Sequence, residues 1–331
     1  MKVIIVGLGS IGRRHLKNLK LIDPQMEIAV LRQHSKDADL GDLKSLASKV
    51  FFNTQEAIRW EPNAVFITNP APFHIKTALS FAKENIHLFI EKPLSVSVKE
   101  IDPLLKECRQ RKLILMVGYV LRFYKPLMIA KAFIEERKIG CVLSINSVVG
   151  RYLPDWRPGS DYKVNVSARS ELGGGVIFEL SHELDYVRWL VGEITEVSAI
   201  VDKISDFDID VEDIAEINLR FKNGAFGHIH LDMLDRAVNR SCRIIGSDGT
   251  LVWDFNSERC LRFYNAKEKI WVDMCLSSPD YNQAFIDELA YFFECILKKE
   301  EPLVNGREGQ RIVEAVIAVK RSARIKKVIK I

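Results

Sequence analysis

The sequence predicts an α/β protein: a doubly wound parallel sheet at the N-terminus, then an α+β domain with a large, open, predominantly antiparallel sheet. Three observations predict it. Short apolar runs alternate with amphipathic runs through the first third of the chain, a glycine loop follows the first of them, and two strong hairpin turns lie downstream. A chain of 331 residues that is 47% hydrophobic buries a large core and divides into about two domains, here residues 1–120 and 121–331.

The strands of the first domain read in order as "VIIVG" (3–7), "EIAVLR" (27–32), "KVFF" (49–52), "AVFIT" (64–68), "HLFIE" (87–91) and "LILMVGY" (113–119). Most segments between them are amphipathic at helical period, so the strands run parallel and are covered on both faces. After the first strand comes "GLGSIGRRH", with Gly7, Gly9 and Gly12 in the G-x-G-x-x-G spacing at the opening of a helix. Gly7 permits the tight turn, Gly9 lets a pyrophosphate approach the backbone at Ser10 and Ile11, and Gly12 lets the helix sit close to the strand. That context points to a dinucleotide. A carboxylate at the end of the second strand suits the ribose hydroxyls of NAD, whereas a cation suits a 2′-phosphate. Arg32 stands there, followed by Gln33, His34 and Ser35, with Asp37 and Asp39 further on. NADP is therefore preferred over NAD, the alternative being that Arg32 is a solvated cation stacked on adenine. At the end of the fifth strand "EKPLS" places Glu91, Lys92 and Pro93 at the carboxyl edge, where ligands of open α/β sheets bind; a cis Lys92–Pro93 bond is one way to aim the lysine.

Past Gly118 the pattern changes. "YKPLMIAKAFIEERKIG" reads as a helix closed by Gly140, and "CVLSINSVVGRY" opens a β-rich region. The turns Asn223–Gly224 and Asp248–Gly249 join alternating runs as hairpins, a meander with one face on helices and one face free. The last helical runs, "YNQAFIDELAYFFECILK" and "EGQRIVEAVIAVKRSARI", are expected to return toward the first domain, with Pro302 and Gly306 in the turn between them.

Two stretches carry candidate substrate chemistry. In "LPDWRPGSDYKVNVSARSELGGG" the residues Trp156, Arg157, Asp161, Tyr162, Lys163, Arg169 and Ser170 gather without periodicity, as in a binding loop for an anionic, partly planar ligand. In "ELSHELD" a histidine stands among carboxylates. A helix over 176–191 puts Ile177, Leu180, Leu184, Val187 and Val191 on the core stripe, with His182 nearly opposite, near Phe178, Asp185 and Trp189. A zinc reading fails because no second histidine stands at H-x-x-x-H spacing, so no metal is expected.

Composition excludes other classes. A net charge of +4 and a basic C-terminus interleaved with apolar residues do not make a nucleic-acid surface. No run approaches the ~18 apolar residues of a membrane span, and no signal-peptide pattern opens the chain, so the expected location is the cytoplasm. The six cysteines are scattered, which predicts reduced thiols rather than a disulfide framework or zinc site.

Together "GLGSIGRRH", "NPAPFH", "EKPLS", "VGYVLRFYKP" and the glycine-led segment through "HELDYVRWLVG" resemble, in order and over nearly the whole chain, the Gfo/Idh/MocA oxidoreductases, a family named for glucose-fructose oxidoreductase and inositol dehydrogenase. The resemblance implies a Rossmann domain, hydride transfer between nicotinamide and a sugar or polyol, and a homodimer or homotetramer paired through the open sheet. It adds Asn69, Pro70, His74 and Glu91 to the cofactor residues, puts Lys92 near the reacting carbon, and adds Tyr119, Arg122 and Asp185 to the substrate residues. The family usually has aspartate, then histidine four residues later, then aspartate three further on; here Glu179 stands in the first place, His182 follows after three residues, and Asp185 after three more. His182, with Glu179, is the expected proton acceptor, because an imidazole titrates near working pH; the alternative is that Lys92 takes the proton and His182 binds substrate or is structural. The cations and aromatics of the substrate loop suggest a nucleotide-activated or otherwise acidic sugar, and the loop, with "RSCRIIGSDGTLVWDF", also resembles a subgroup among bacterial surface-polysaccharide enzymes. Three functions stand open: an NAD(P)-dependent dehydrogenase or reductase of a sugar derivative; an epimerase, lyase or glycosidase that recycles tightly bound NAD; and a non-catalytic NAD(P)-binding sensor, against which Lys92 and His182 speak.

Overall fold

Val3, Ile4, Ile5 and Val6 are all but inaccessible, so β1 (Lys2–Val6) is a strand covered on both faces, as its unbroken apolar run requires. The computed structural model describes residues 1–32, 45–276 and 279–331. These fall into two units, Met1–Val120 with Asn282–Val313, and Leu121–Tyr281 with Glu314–Ile331.

In the first unit β1 is followed by α1 (Ser10–Ile22), β2 (Glu27–Leu31), β3 (Lys49–Phe51), α2 (Thr54–Arg59), β4 (Ala64–Ile67), α3 (His74–Ala82), β5 (His87–Glu91), α4 (Ile101–Gln110) and β6 (Leu115–Gly118). The six strands pair in parallel in the order β3-β2-β1-β4-β5-β6. The order reverses between β1 and β4, and the crevice beyond their carboxyl ends is where such sheets bind nucleotides. Phe292, from the helix that starts at Tyr281, meets Phe66 of β4 and Phe89 of β5 edge-on, each at 5.6 Å. All three rings are fully buried, worth ~1.5–3 kcal/mol apiece. The edge of β6 is covered, since the Val117 amide donates to the Val304 carbonyl at 2.8 Å and Met116 bridges Asn305.

The second unit contains α5 (Lys125–Glu135), β7 (Val142–Gly150), α6 (Val176–Glu179), α7 (His182–Val191) and strands β8 (Ile194–Asp202), β9 (Ile214–Phe221), β10 (Phe226–Asp232), β11 (Asn239–Gly246), β12 (Gly249–Asp254), β13 (Leu261–Asn265) and β14 (Ile270–Cys275). After α8 (Tyr281–Lys298) and α9 (Gly306–Ile325) comes β15 (Ile329–Lys330). The sheet has nine strands in the order β14-β13-β12-β11-β7-β10-β9-β8-β15. Both anticipated hairpins form, β9–β10 and β11–β12. The sheet is mixed rather than uniformly antiparallel, because β7 lies between β10 and β11 and runs parallel to β10. Ile217, Leu219 and Phe221 of β9 are buried, while Asn218 and Arg220 on the opposite face are exposed. Among the described residues no helix is long and apolar enough to cross a membrane.

The expected helix over 176–191 is broken. α6 ends at Glu179, Leu180 and Ser181 close tight turns in which the Glu183 amide donates to the Leu180 carbonyl at 3.0 Å, and α7 begins at His182. Serine offers the backbone an alternative to a continuing helix. The break turns Leu180 partly outward, while Ile177, Leu184, Val187 and Val191 remain in the core.

Candidate active site

The loop after β1 has the geometry of a phosphate cradle. Gly7 has φ +90°, and its amide donates to the Leu31 carbonyl at 3.1 Å, which fixes the turn. A Cβ on Gly12 would lie 2.5 Å from the Gly7 carbonyl oxygen and 2.7 Å from Thr68 Oγ1, so α1 packs at a distance only glycine allows. A Cβ on Gly9 would meet nothing within 4 Å. Packing therefore does not demand glycine at that position. Gly9 is the N-cap of α1 with no side chain to cap it, so the first amides of the helix, at Ser10, Ile11 and Gly12, have no side-chain acceptor there.

The turn after β4 supplies Asn69, Pro70 and His74. The Asn69 Nδ2 donates to Thr77 Oγ1 at 3.1 Å, while its Oδ1 is buried without a hydrogen-bond partner. His74 is buried, with Nδ1 2.9 Å from the Pro93 carbonyl and Nε2 2.7 Å from the Asn69 carbonyl. Burial lowers its pKa against the opposing pull of those carbonyls, and a neutral ring donates to only one of them. His74 thereby ties the Asn69 turn to the turn that carries Lys92. Lys92 follows the carboxyl end of β5, half-buried, and its bond to Pro93 is cis. Glu91 is buried; its Oε2 accepts from the Lys92 amide at 3.2 Å, and its Oε1 lies 2.6 Å from Nε2 of His15. Arg32 is half-buried at the end of β2, its amide donating to the Phe51 carbonyl at 2.9 Å. Ser35, with Gln33, His34, Asp37 and Asp39, lies outside the described residues.

In the second unit the glycine run packs the preceding loop against the start of α6. The Gly174 amide donates to the Arg169 carbonyl at 3.0 Å, and the Gly175 amide to the Ser167 carbonyl at 3.1 Å. A Cβ on Gly174 would lie 2.3 Å from the Val166 carbonyl oxygen. The loop folds as successive short 3-10 turns rather than as irregular chain. Arg157 Nη1 donates to Ser167 Oγ at 3.3 Å, Trp156 Nε1 donates to the Arg151 carbonyl at 2.8 Å, and Tyr162 meets Phe207 edge-on at 5.6 Å. Trp156, Arg157, Tyr162 and Arg169 all remain partly exposed. So do Glu179, at the end of α6, and His182, at the first position of α7.

Three of the expected substrate residues are buried. Tyr119 is fully buried. Arg122 and Asp185 are 2% and 0% exposed and form a fork: Arg122 Nη2 donates to Asp185 Oδ1 at 2.7 Å, and its Nε lies 3.0 Å from Oδ2 and 3.2 Å from Oδ1. The pair anchors α7. Trp189 lies over the guanidinium at 5.9 Å.

Two positioning groups escaped the sequence reading. His15 is buried among Phe66, Phe89 and Phe285 and holds Glu91. Its signal was its place three residues after Gly12, on the same face of α1 as the close-packed glycine. Arg240 of β11 donates to the buried Glu183 Oε1, whose other oxygen accepts from Ser147 Oγ at 3.2 Å; Ser147 in turn bonds Tyr186 at 2.6 Å. Nothing local could announce a pairing across 57 residues. Among the described residues no group of three His, Cys, Asp or Glu side chains is arranged to hold a metal ion.

Residues 1–119 match the family model of the Gfo/Idh/MocA oxidoreductases described as the NAD-binding Rossmann fold, and residues 131–331 match that family's C-terminal alpha/beta domain. The chain is 28% identical to myo-inositol 2-dehydrogenase of Thermotoga maritima, covering 100% of this chain and 98% of that protein. Among solved structures it is similar to a levoglucosan dehydrogenase in complex with NADH, with TM-score 0.88, 19% identity and coverage of 100% and 98%. It is likewise similar to the WlbA dehydrogenase of Bordetella pertussis in complex with NADH and UDP-GlcNAcA, with TM-score 0.84, 22% identity and coverage of 100% and 98%.

Proposed function

We propose a function from one premise: the chain belongs to the Gfo/Idh/MocA family of oxidoreductases. It is an NAD(P)-dependent sugar dehydrogenase or reductase that acts on a hydroxyl-bearing or keto carbon. The dinucleotide, when bound, supplies or accepts the hydride at nicotinamide C4. The observation that carries the reading is the contrast between Gly12, which packing requires, and Gly9, which packing does not. Glycine at the second position keeps the loop open to a ligand, and a pyrophosphate at the uncapped start of α1 fits it. The orphaned Asn69 Oδ1 offers a further acceptor to a bound hydroxyl.

Lys92 and His182 are the residues assigned to the substrate hydroxyl. His182 takes its proton and Lys92 orients its oxygen, with Glu179 as the neighbouring carboxylate. Glu91, held by His15, and the carbonyl of Pro93, held to His74, fix the backbone on either side of Lys92. Loss of either catalytic side chain is expected to lower kcat ~10²–10⁴-fold with the cofactor still bound. Trp156, Arg157, Tyr162 and Arg169 are assigned to substrate, and their charge and aromatic character favour a nucleotide-activated or otherwise acidic sugar, the kind of ligand bound by the Bordetella relative. Arg32 favours NADP over NAD.

The outward face of the nine-stranded sheet is assigned to a homodimer or homotetramer. Ile200, Phe226, Ile245 and Trp271 stand on it 75%, 56%, 40% and 40% exposed, spread over four strands.

The first test is to denature the purified protein, identify any released dinucleotide, and titrate the stripped protein with NADPH and NADH. Exchangeable binding with a preference for NADPH supports the reading. Near-stoichiometric NAD that survives purification replaces it with an enzyme that recycles its cofactor. Failure to bind either refutes it.

A further inference from the structure

A pocket of about 580 Å³ opens in the first unit at the amino ends of β5 and β6, where His87 and Leu115 begin their strands. Glu91 and Lys92 stand at the other end of β5, ~13 Å away at the rise of a strand, so this pocket is separate from the cofactor crevice. Its volume falls within the ~300–1,000 Å³ of small-molecule sites.

The wall is apolar. Leu105, Leu113, Leu115 and Ile296 line it, as does Cys108, whose thiol burial pushes up to about 12; at neutral pH it is a small apolar group rather than a nucleophile. His87 accepts the Ile114 amide at Nδ1, 3.0 Å away, and burial lowers its pKa, so Nε2 carries the proton and remains a donor.

The mouth is cationic. Arg109 and Lys112 come from the end of α4, Lys299 from just past α8, and Arg307 from the first turn of α9, against the single carboxylate of Glu301. Arg307 is held by Asp102 and Gln310, at 3.4 and 2.7 Å. Arg109, Lys112 and Lys299 have no ion-pair partner among the described residues, although two separate elements bring them to one rim. Asn305 caps α9 by accepting the Glu308 amide at 3.0 Å, and with Gly306 and Arg307 it lines the pocket, so the amino end of this 20-residue helix lies at the same rim. An apolar hollow with a predominantly cationic rim selects an apolar body with an anionic head.

We propose that this pocket is a second ligand site, for a small amphipathic anion: an alkyl or aryl carboxylate or phosphate. The test uses the protein with its dinucleotide bound, titrated calorimetrically with octanoate and with phenyl phosphate; octan-1-ol and octylamine are the neutral and cationic controls. The expected result is saturable one-site binding of at least one anion, at least tenfold tighter than either control and weakened by salt. The variant Arg109→Glu/Lys112→Glu, exposed at both positions, is expected to lose at least tenfold in anion affinity while its dinucleotide affinity stays unchanged. Leu113→Trp, which fills the hollow and leaves the rim charge intact, is expected to abolish binding. Absence of saturable binding by both anions overturns the proposal, as do equal binding of octan-1-ol and anion affinity unchanged in the charge-reversed variant.

Discussion

Asp185→Asn removes one charge from a pair that the fold has withdrawn from water almost completely. Asp185 and Arg122 are 0% and 2% exposed, and the carboxylate takes guanidinium contacts at 2.7, 3.0 and 3.2 Å. Breaking such a pair leaves the other ion buried without its counter-charge, a loss of ~3–5 kcal/mol. Replacing both partners with apolar residues of similar volume removes both desolvation penalties, so the double variant Arg122→Met/Asp185→Leu should lose only ~1 kcal/mol, chiefly the guanidinium contact with Trp189. With the matching singles Asp185→Leu and Arg122→Met measured beside it, the coupling between the sites is then at least ~2 kcal/mol. Urea unfolding followed by far-UV circular dichroism and by tryptophan fluorescence measures it, and coincidence of the two probes validates a two-state treatment. In a thermal scan the Asp185→Asn loss corresponds to a fall in Tm on the order of 10 °C. A loss under ~1 kcal/mol, or a double variant no better than the worse single one, would refute the claim that this pair anchors α7.

Gly9→Ala should leave stability within ~0.5 kcal/mol of the parent, because the added methyl meets nothing, while dinucleotide affinity falls at least tenfold; equal affinity in a titration would sink the phosphate-cradle reading. Gly12→Ala should destabilise the first unit by ~1–3 kcal/mol, since its methyl would overlap the Gly7 carbonyl oxygen, and denaturant midpoints check it. Arg32→Glu should weaken NADPH at least tenfold and leave NADH nearly unchanged, and parallel titrations decide it. Hydrogen bonding to Asp232, with Glu216 adding and burial opposing, raises His230 from 6.5 to about 9. A raised folded-state value means that the protonated ring stabilises the fold fully below pH 6.5, and that this contribution is lost as pH rises through about 9. His230→Gln should therefore flatten the decline of stability across that interval, measured by denaturant midpoints from pH 6 to 10; an unchanged slope would rule the ring out as its source.

Local signals made much of the first unit legible. Its strands are mostly continuous apolar runs because both faces are covered, and Gly7 and Gly12 sit where a turn and a close helix leave no room for a Cβ. Both hairpins of the second unit were visible for the same kind of reason, since Asn-Gly and Asp-Gly carry their turn geometry in two residues. The helix over 176–191 misled because apolar periodicity continues across Leu180 and Ser181 even though the backbone turns there, and periodicity records which faces are buried rather than whether the hydrogen-bond ladder is unbroken.

The family motifs in sequence order determined the fold class, the dinucleotide loop and the oxidoreductase family, because each of those depends on residues near one another along the chain. Only the tertiary structure decided that Arg122 and Asp185 neutralise each other, that His15 holds Glu91, and that Arg240 secures the carboxylate beside His182. Those partners are 63, 76 and 57 residues apart. A charged side chain in a sequence has the same chemistry whether it will meet water, substrate or a buried counter-ion; burial selects among them, and burial exists only once the chain has packed.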